Sequence, residues 1–539
     1  MPRILPLALL LALAACSQAP DPQTTAATAP AVVPATAPVA APAPSVAQIA
    51  WEKGDVDAAF AKAKAENKPV FLYWGAVWCP PCNQVKATIF SRQDFIERSR
   101  YFVPVYLDGD SKSAQKQGAR FKIGGYPTMI LFTPDGTEIT RLPGEIDADQ
   151  YMRVLALGMN GARPVKATLA AALASGRGTA ATRLTPEDWR MLAYYSWDTD
   201  EQTLIPRKDV AATLRQLAQA CPPEQTTTAT RLKLKAMAAG ATAPGAKSRD
   251  DKAARDDLRK VLADPRIARE DFDLVTGYAR EITGHVTLPK SDERAALAAA
   301  WDDVLRQLAA DPKLSATDRL SAVGARIDLA KLDAPDGKVP EALVADARDA
   351  AARGDRETTD LYARETVINA AAHVLAAAGL LDESDALLTA ELARSNTPYY
   401  AMLGLAGNAR KRGDKAAAVD WAEKAYATAT GPATRLQWGV SYVNALVDLT
   451  PEAAARIEKA AGQVIGELEA APDTFYDRNH RYLERMTRKL LAWNKGRQHQ
   501  DSVQRLRAQL AGVCAKLPAG DPARKACDGL WNAPKAATA

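Results

Sequence analysis

The sequence predicts an α/β domain followed by an all-α solenoid, and two observations carry that class. A run of apolar and aromatic residues, Val70 to Trp74, is bounded upstream by Asn67-Lys68-Pro69 and reads as a buried strand that breaks at Gly75. Beyond Arg163 alanine becomes dominant, β-branched runs vanish and apolar residues recur at helical spacing. The totals agree: 539 residues exceed one ordinary domain, and 47% hydrophobic with 25% charged residues supplies ample core material. A net charge of +5 is small for that length. No basic run with interleaved aromatics occurs, which argues against nucleic acid as a partner.

Taken in order, residues 1–15 read as a secretory signal peptide: Arg3, then an apolar run from Ile4 to Ala14 too short to span a bilayer. Leu13-Ala14-Ala15-Cys16 resembles a bacterial lipobox, which implies cleavage before Cys16 and lipidation of its thiol. An ordinary signal peptide with a coincidental cysteine is the other reading. Several acyl chains on one residue suffice for stable anchoring. Ser17 rather than Asp after the cysteine implies, in the sorting pattern of such lipoproteins, the outer membrane facing the periplasm. Residues 16–48 are almost only Ala, Pro, Thr, Val and Gln, a composition that cannot offset ordering entropy and reads as a semi-extended tether.

Residues 49–162 form the α/β domain. Val56 to Glu66 has the apolar spacing of an amphipathic helix, Phe102 to Leu107 reads as a second strand, and Ser111 to Phe121 as a helix. Met129 to Phe132 gives a third strand, Pro134-Asp135-Gly136 a turn, Glu138 to Arg141 its partner strand, and Asp147 to Met159 a closing helix. Gly75 delivers Trp78-Cys79-Pro80-Pro81-Cys82 to the start of a helix through Ile89. Unpaired N–H groups and the positive dipole end of a helix favour thiolate over thiol there. Two cysteines three positions apart can close a disulfide; an exposed Cys79 would attack a partner disulfide and a more buried Cys82 would resolve the product.

Together with Gly124-Gly125-Tyr126-Pro127-Thr128, this pattern resembles the thioredoxin superfamily, whose cis-proline loop faces the cysteine pair. The flanking Ala61 to Pro69 and Phe102 to Asp108 are most similar to envelope domains of the thiol:disulfide interchange type. The resemblance implies a redox-active Cys79–Cys82 disulfide, no cofactor, and a role in cell redox homeostasis through disulfides of exported proteins. It implies Trp78, Tyr126 and Pro127 as substrate-binding residues around a shallow peptide groove, with simple packing as the alternative for the two aromatics. No histidine stands between the cysteines, which argues for a reductase; the expected function is reduction or isomerisation of those disulfides, with electrons from a membrane donor. One departure stands out: where relatives bury an aspartate to take the resolving thiol's proton, this chain has Tyr73, whose phenol, near pKa 10, is a poor base.

Of six cysteines, Cys514 and Cys527 flank a Pro518-Ala519-Gly520-Asp521-Pro522 turn and read as a structural disulfide, worth about 3 kcal/mol on the loop-entropy model. Cys221, in Ala220-Cys221-Pro222-Pro223, reads as packed at a helix end, a regulatory thiol being the alternative. Residues 163–535 form the helical region, with Trp301, Val304, Leu305 and Leu308 on one helix face and breaks at Gly240 to Ser248 and Ala334 to Pro340. Gly379 and Gly413 lie 34 positions apart, as do Pro398 and Pro432, which resembles tetratricopeptide repeats; an alanine-rich bundle is the alternative. His285, His373, His480 and His499 have no partners at metal-ligand spacing, so no metal is called for. Two functions remain: a periplasm-facing thiol:disulfide oxidoreductase, or a helical scaffold that binds a protein partner and carries a docking or redox-sensing domain.

Overall fold

The computed structural model describes residues 48–111, 114–144, 146–161, 163–175, 183–200, 204–334, 337–468 and 475–532. The signal segment, Cys16 and nearly all of the tether lie outside the described residues. The order of elements in the first domain is β1 (Glu52–Lys53), α1 (Val56–Glu66), β2 (Val70–Gly75), α2 (Pro80–Val85), α3 (Gln93–Arg98) and β3 (Val103–Asp108). There follow α4 (Ala114–Arg120), β4 (Thr128–Phe132), β5 (Glu138–Leu142) and α5 (Ala148–Met159).

Its sheet runs β1-β3-β2-β4-β5, with β1, β3 and β2 parallel and β4 and β5 antiparallel. Strand β2 sits in the middle, and all six of its residues are buried, which explains why its apolar run is continuous rather than alternating. Its pleat still divides the core. Val70, Leu72 and Trp74 pack with α1 and α4, while Phe71 and Tyr73 pack with the other face, against Phe90, Phe95, Tyr151 and Leu155. Helix α1 has the ends its sequence calls for: Asp55 accepts the Ala58 N–H at 2.9 Å, and Asn67 takes the left-handed conformation, φ 50°, that closes the C-terminus.

From Val165 to Gly529 the described chain is helical, as the expectation of α/β plus all-α requires. Trp301, Val304, Leu305 and Leu308 are buried on one face of the Asp292–Ala310 helix, and Trp301 Nε1 donates to the Val275 carbonyl at 2.8 Å. Gly379 and Gly413, at φ +91° and +81°, turn two successive helical hairpins, Leu361–Ala377 with Leu381–Glu391 and Tyr399–Arg412 with Lys415–Thr428. The Gly240 to Ser248 break is tied down nearby: Ser248 Oγ donates to the Gly284 carbonyl at 2.7 Å and Arg249 N to that of His285 at 2.9 Å. Cys514 and Cys527 are disulfide-bonded, joining the Gln500–Ala515 and Pro522–Gly529 helices.

The helices do not stand apart from the sheet. One hydrophobic cluster runs from Phe71 in β2 to Leu530 in the last turn of the described chain. At the β5 edge Arg141 is 1% exposed and spends every guanidinium nitrogen: on Glu138, on the Phe121 and Lys122 carbonyls, and on the Thr199 carbonyl of the helical region. Ser196 N returns a hydrogen bond to the Arg141 carbonyl at 3.0 Å.

Candidate active site

Strand β2 ends at Gly75, and the chain turns through Ala76-Val77-Trp78 to put Cys79 at the N-cap of α2. The prolines at the first positions of α2 lose nothing, because N–H groups there have no helical acceptor. Cys79 Sγ accepts the Cys82 N–H at 3.3 Å, as an N-cap oxygen would, and α2 continues through a π-helical stretch, Lys86–Phe90. Cys79 and Cys82 are joined as a disulfide with Cα atoms 5.2 Å apart. The Tyr126–Pro127 peptide is cis, and Pro127 is the last residue of the loop that enters β4.

Trp78 and Tyr126 meet edge-on with ring centroids 5.6 Å apart. Their surroundings correct the picture of an open groove and an exposed nucleophile. Trp78 is 2% exposed and Cys79 3%, because helices from far along the chain close over them. Tyr400 stacks on Trp78 at 6.0 Å, Trp438 meets it edge-on at 6.2 Å, and the Arg478 guanidinium lies 5.5 Å from the Trp78 ring and 4.5 Å from that of Tyr126. Thr366 Oγ1 donates to the Pro80 carbonyl at 2.7 Å, and Arg481 to the Gly124 carbonyl at 2.9 Å. On another side Gln84 of α2 donates to Asp318 at 2.8 Å. What remains beside the proline loop is a cavity of about 420 Å³, lined by Pro81, Tyr126, Pro127 and Gly144 from the sheet domain and by Trp197, Lys235 and Phe272 among the helical residues.

Electrostatics follow from that burial. Tyr73 is 1% exposed, stacks on Tyr106 at 5.2 Å, and its hydroxyl has no partner among the described residues. Burial first and the Asp108 charge second push its phenol far above the ordinary range, so it takes no proton from Cys82 near neutral pH. Burial also pulls the Lys86 ammonium down, against the opposing pull of Asp108. The Tyr126 phenol is pushed up to about 12 by burial, opposed by Arg478. Cys221 is a buried free thiol held up to about 11, by burial and then by Glu224. No group of three or more His, Cys, Asp or Glu that could hold a metal occurs among the described residues.

Sequence reasoning missed Asp110, Thr366, Arg478 and Arg481, which touch the redox loops, and Thr434, which holds Asp110. None carries a local pattern. Each belongs to the site through contacts spanning more than thirty or several hundred positions.

A family model described as a thioredoxin-like domain matches residues 56–158. Thiol:disulfide interchange protein DsbD of Pseudomonas fluorescens is 28% identical over 103 residues, 18% of this chain and 18% of that protein. DsbD 1 of Pseudomonas aeruginosa is 31% identical over 97 residues, 17% of this chain and 16% of that protein. The chain therefore spans less than a fifth of the length of these interchange proteins. A thioredoxin of Mycobacterium tuberculosis is 33% identical over 89 residues, 16% of this chain and 72% of that protein. A solved structure described as a DsbH oxidoreductase aligns over 24% of this chain and 96% of its own, at 16% identity and a TM-score of 0.20.

Proposed function

Because the chain belongs to the thioredoxin family through residues 56–158, we propose that it is a thiol:disulfide oxidoreductase acting on disulfides of exported proteins from a lipid anchor in the bacterial envelope. The observation that supports this best is the Cys79 sulfur at the N-cap of α2, bonded to Cys82 and beside the Pro127 loop.

In the reduced protein the Cys79 thiolate attacks one sulfur of a partner disulfide. A mixed disulfide forms and the partner's other sulfur leaves as thiolate. Cys82, deprotonated, then attacks Cys79 Sγ, which forms the Cys79–Cys82 bond and frees the partner's second thiolate. Two electrons have passed to the partner, and a membrane donor dithiol must return them. With Tyr73 unable to act as base, the proton of Cys82 leaves to water or to the departing thiolate.

The scaffold reading keeps one supporting observation, the 3% exposure of Cys79 beneath the helices. Insulin reduction by the full chain with dithiothreitol separates the two. Wild type should exceed a Cys79→Ser variant, which should match the uncatalysed rate. Cys79–Cys82 should also titrate above about −300 mV, the bound typical of structural disulfides, with Cys514–Cys527 below it as an internal reference. Equal insulin rates with both disulfides below that bound would leave the scaffold.

A further inference from the structure

We propose that the helices of residues 361–493 form a lid over the redox pair, latched by Asp110, and that a partner disulfide reaches Cys79 only when that lid swings away. The proposal takes Cys79 as the exchanging thiol, but the geometry behind it is independent of any activity.

Asp110 lies in the loop after β3 and binds both sides of the seam at once. The Pro432–Leu449 helix begins at Gly431, which has no side chain to cap it. Asp110 supplies the cap from 323 and 324 positions away: its carboxylate accepts the Ala433 N–H at 2.7 Å, the Thr434 N–H at 2.9 Å and the Thr434 hydroxyl. The same carboxylate accepts the Trp78 Nε1–H at 3.0 Å, next to Cys79. Gly431 is shaped for this guest. Its φ is +87°, and a Cβ there would stand 2.5 Å from the Asp110 carboxyl carbon. Thr366 and Arg481 hold the other two loops, at the Pro80 and Gly124 carbonyls, so each loop of the redox face has a partner in the helical region.

Two seams join the sheet domain to the helices, and they differ in finish. Around Arg141 every guanidinium nitrogen is spent. At the redox face the seam is held instead by single groups: the Asp110 carboxylate, Thr366 on the Pro80 carbonyl and Arg481 on the Gly124 carbonyl.

Alkylation of Cys79 in the reduced full chain, located by mass spectrometry and followed against pH, tests the lid. The plateau at high pH, where the thiol is fully ionised, reads access rather than ionisation. With a lid open on the order of 10% of the time or less, the wild-type plateau should lie at least about tenfold below that of Gly431→Ala. That variant pushes on Asp110 from the lid side and leaves the redox domain's sequence intact. Asp110→Ala should behave alike, while the buried Cys221 keeps its wild-type rate in all, which guards against general unfolding. If Gly431→Ala does not fold, Arg478→Ala carries the same comparison. Equal plateaus in wild type and variants overturn the lid and leave the oxidoreductase reading untouched. Raised plateaus in variants that still fail to reduce insulin would support the lid and overturn the oxidoreductase reading.

Discussion

The sheet domain and the helical region bury their interiors with different chemistry. Around β2 the core is aromatic: Phe71 stacks on Phe102 at 5.0 Å and meets Phe95 at 5.7 Å, and Phe90 meets Phe95 at 4.9 Å. The helical region packs mostly on alanine and leucine, with its rings more thinly spread, and sinks arginines between its helices. Arg231 is 1% exposed between Asp271 and Asp273, and Arg326 joins Asp302 to Asp346 at 2.7 and 2.8 Å. Ring packing holds one strand rigidly in place, which suits a turn that must present a sulfur at a helix end. Small side chains let helices approach closely, and buried charge pairs then fix which helix meets which.

The largest effect should follow from breaking the aromatic core. Phe71→Ala removes a fully buried ring, at about 3–5 kcal/mol. Because its cluster continues to Leu530, helical circular dichroism and tryptophan fluorescence should lose their midpoints together in a denaturant titration. Helices that kept their wild-type midpoint would show that the two regions fold separately and that the comparison concerns two proteins rather than one.

Next comes a buried charge. Arg364 reaches Glu391, whose side chain is 7% exposed, at 2.7 Å, and it also holds Asp355 and the Thr358 carbonyl. Arg364→Ala strands that carboxylate and should cost about 3 kcal/mol. Arg364→Met combined with Glu391→Leu should recover much of the loss, since apolar replacement of both partners is often neutral. Thermal denaturation of both variants checks this. Equal losses would mean that the arginine stem's packing, not its charge, joins these helices, and the contrast between the regions would shrink.

The same contrast explains what could be read in the sequence. Helix α1 and strands β2 to β5 announce themselves because their signals are local, an apolar spacing over Val56 to Glu66 and a solid apolar run over Val70 to Trp74, whereas the two-residue β1 is too short to show one. The cysteine pair and the Pro127 loop belong to that legible part. Coverage of the site does not. Thr366 meets Pro80 across 286 positions and Arg481 meets Gly124 across 357. A threonine inside an apolar helix and an arginine in a basic one have no periodicity that points to a partner. Trp78 shows the consequence: beside a CPPC turn it reads as the wall of an open groove, and only the distant Tyr400 and Trp438 turn it into core. Gly431 left one faint trace, a glycine before Pro432 with no capping side chain of its own, which asks where the cap comes from.

The smallest effect belongs to the exposed ion pairs, and it tests whether burial ranks charge in the helical region. Glu458 joins the Ala454–Glu467 and Gln500–Ala515 helices through Arg505, at 2.5 and 2.7 Å, and accepts the Ser502 hydroxyl at 2.7 Å. Arg505 first and Ser502 second hold its carboxyl down at about 2. A depressed folded-state pKa contributes stability above the unfolded value, near 4.3, and loses it as pH falls from there to about 2. With Arg505 61% and Glu458 25% exposed, screening keeps that contribution under about 1 kcal/mol. Glu458→Gln should therefore lower the melting temperature slightly at pH 7, less in high salt, and least near pH 2, where the folded-state carboxyl is itself becoming protonated. A deficit undiminished at pH 2 would assign the effect to hydrogen bonding and packing, and would place this half-buried carboxylate beside Glu391 rather than well below it.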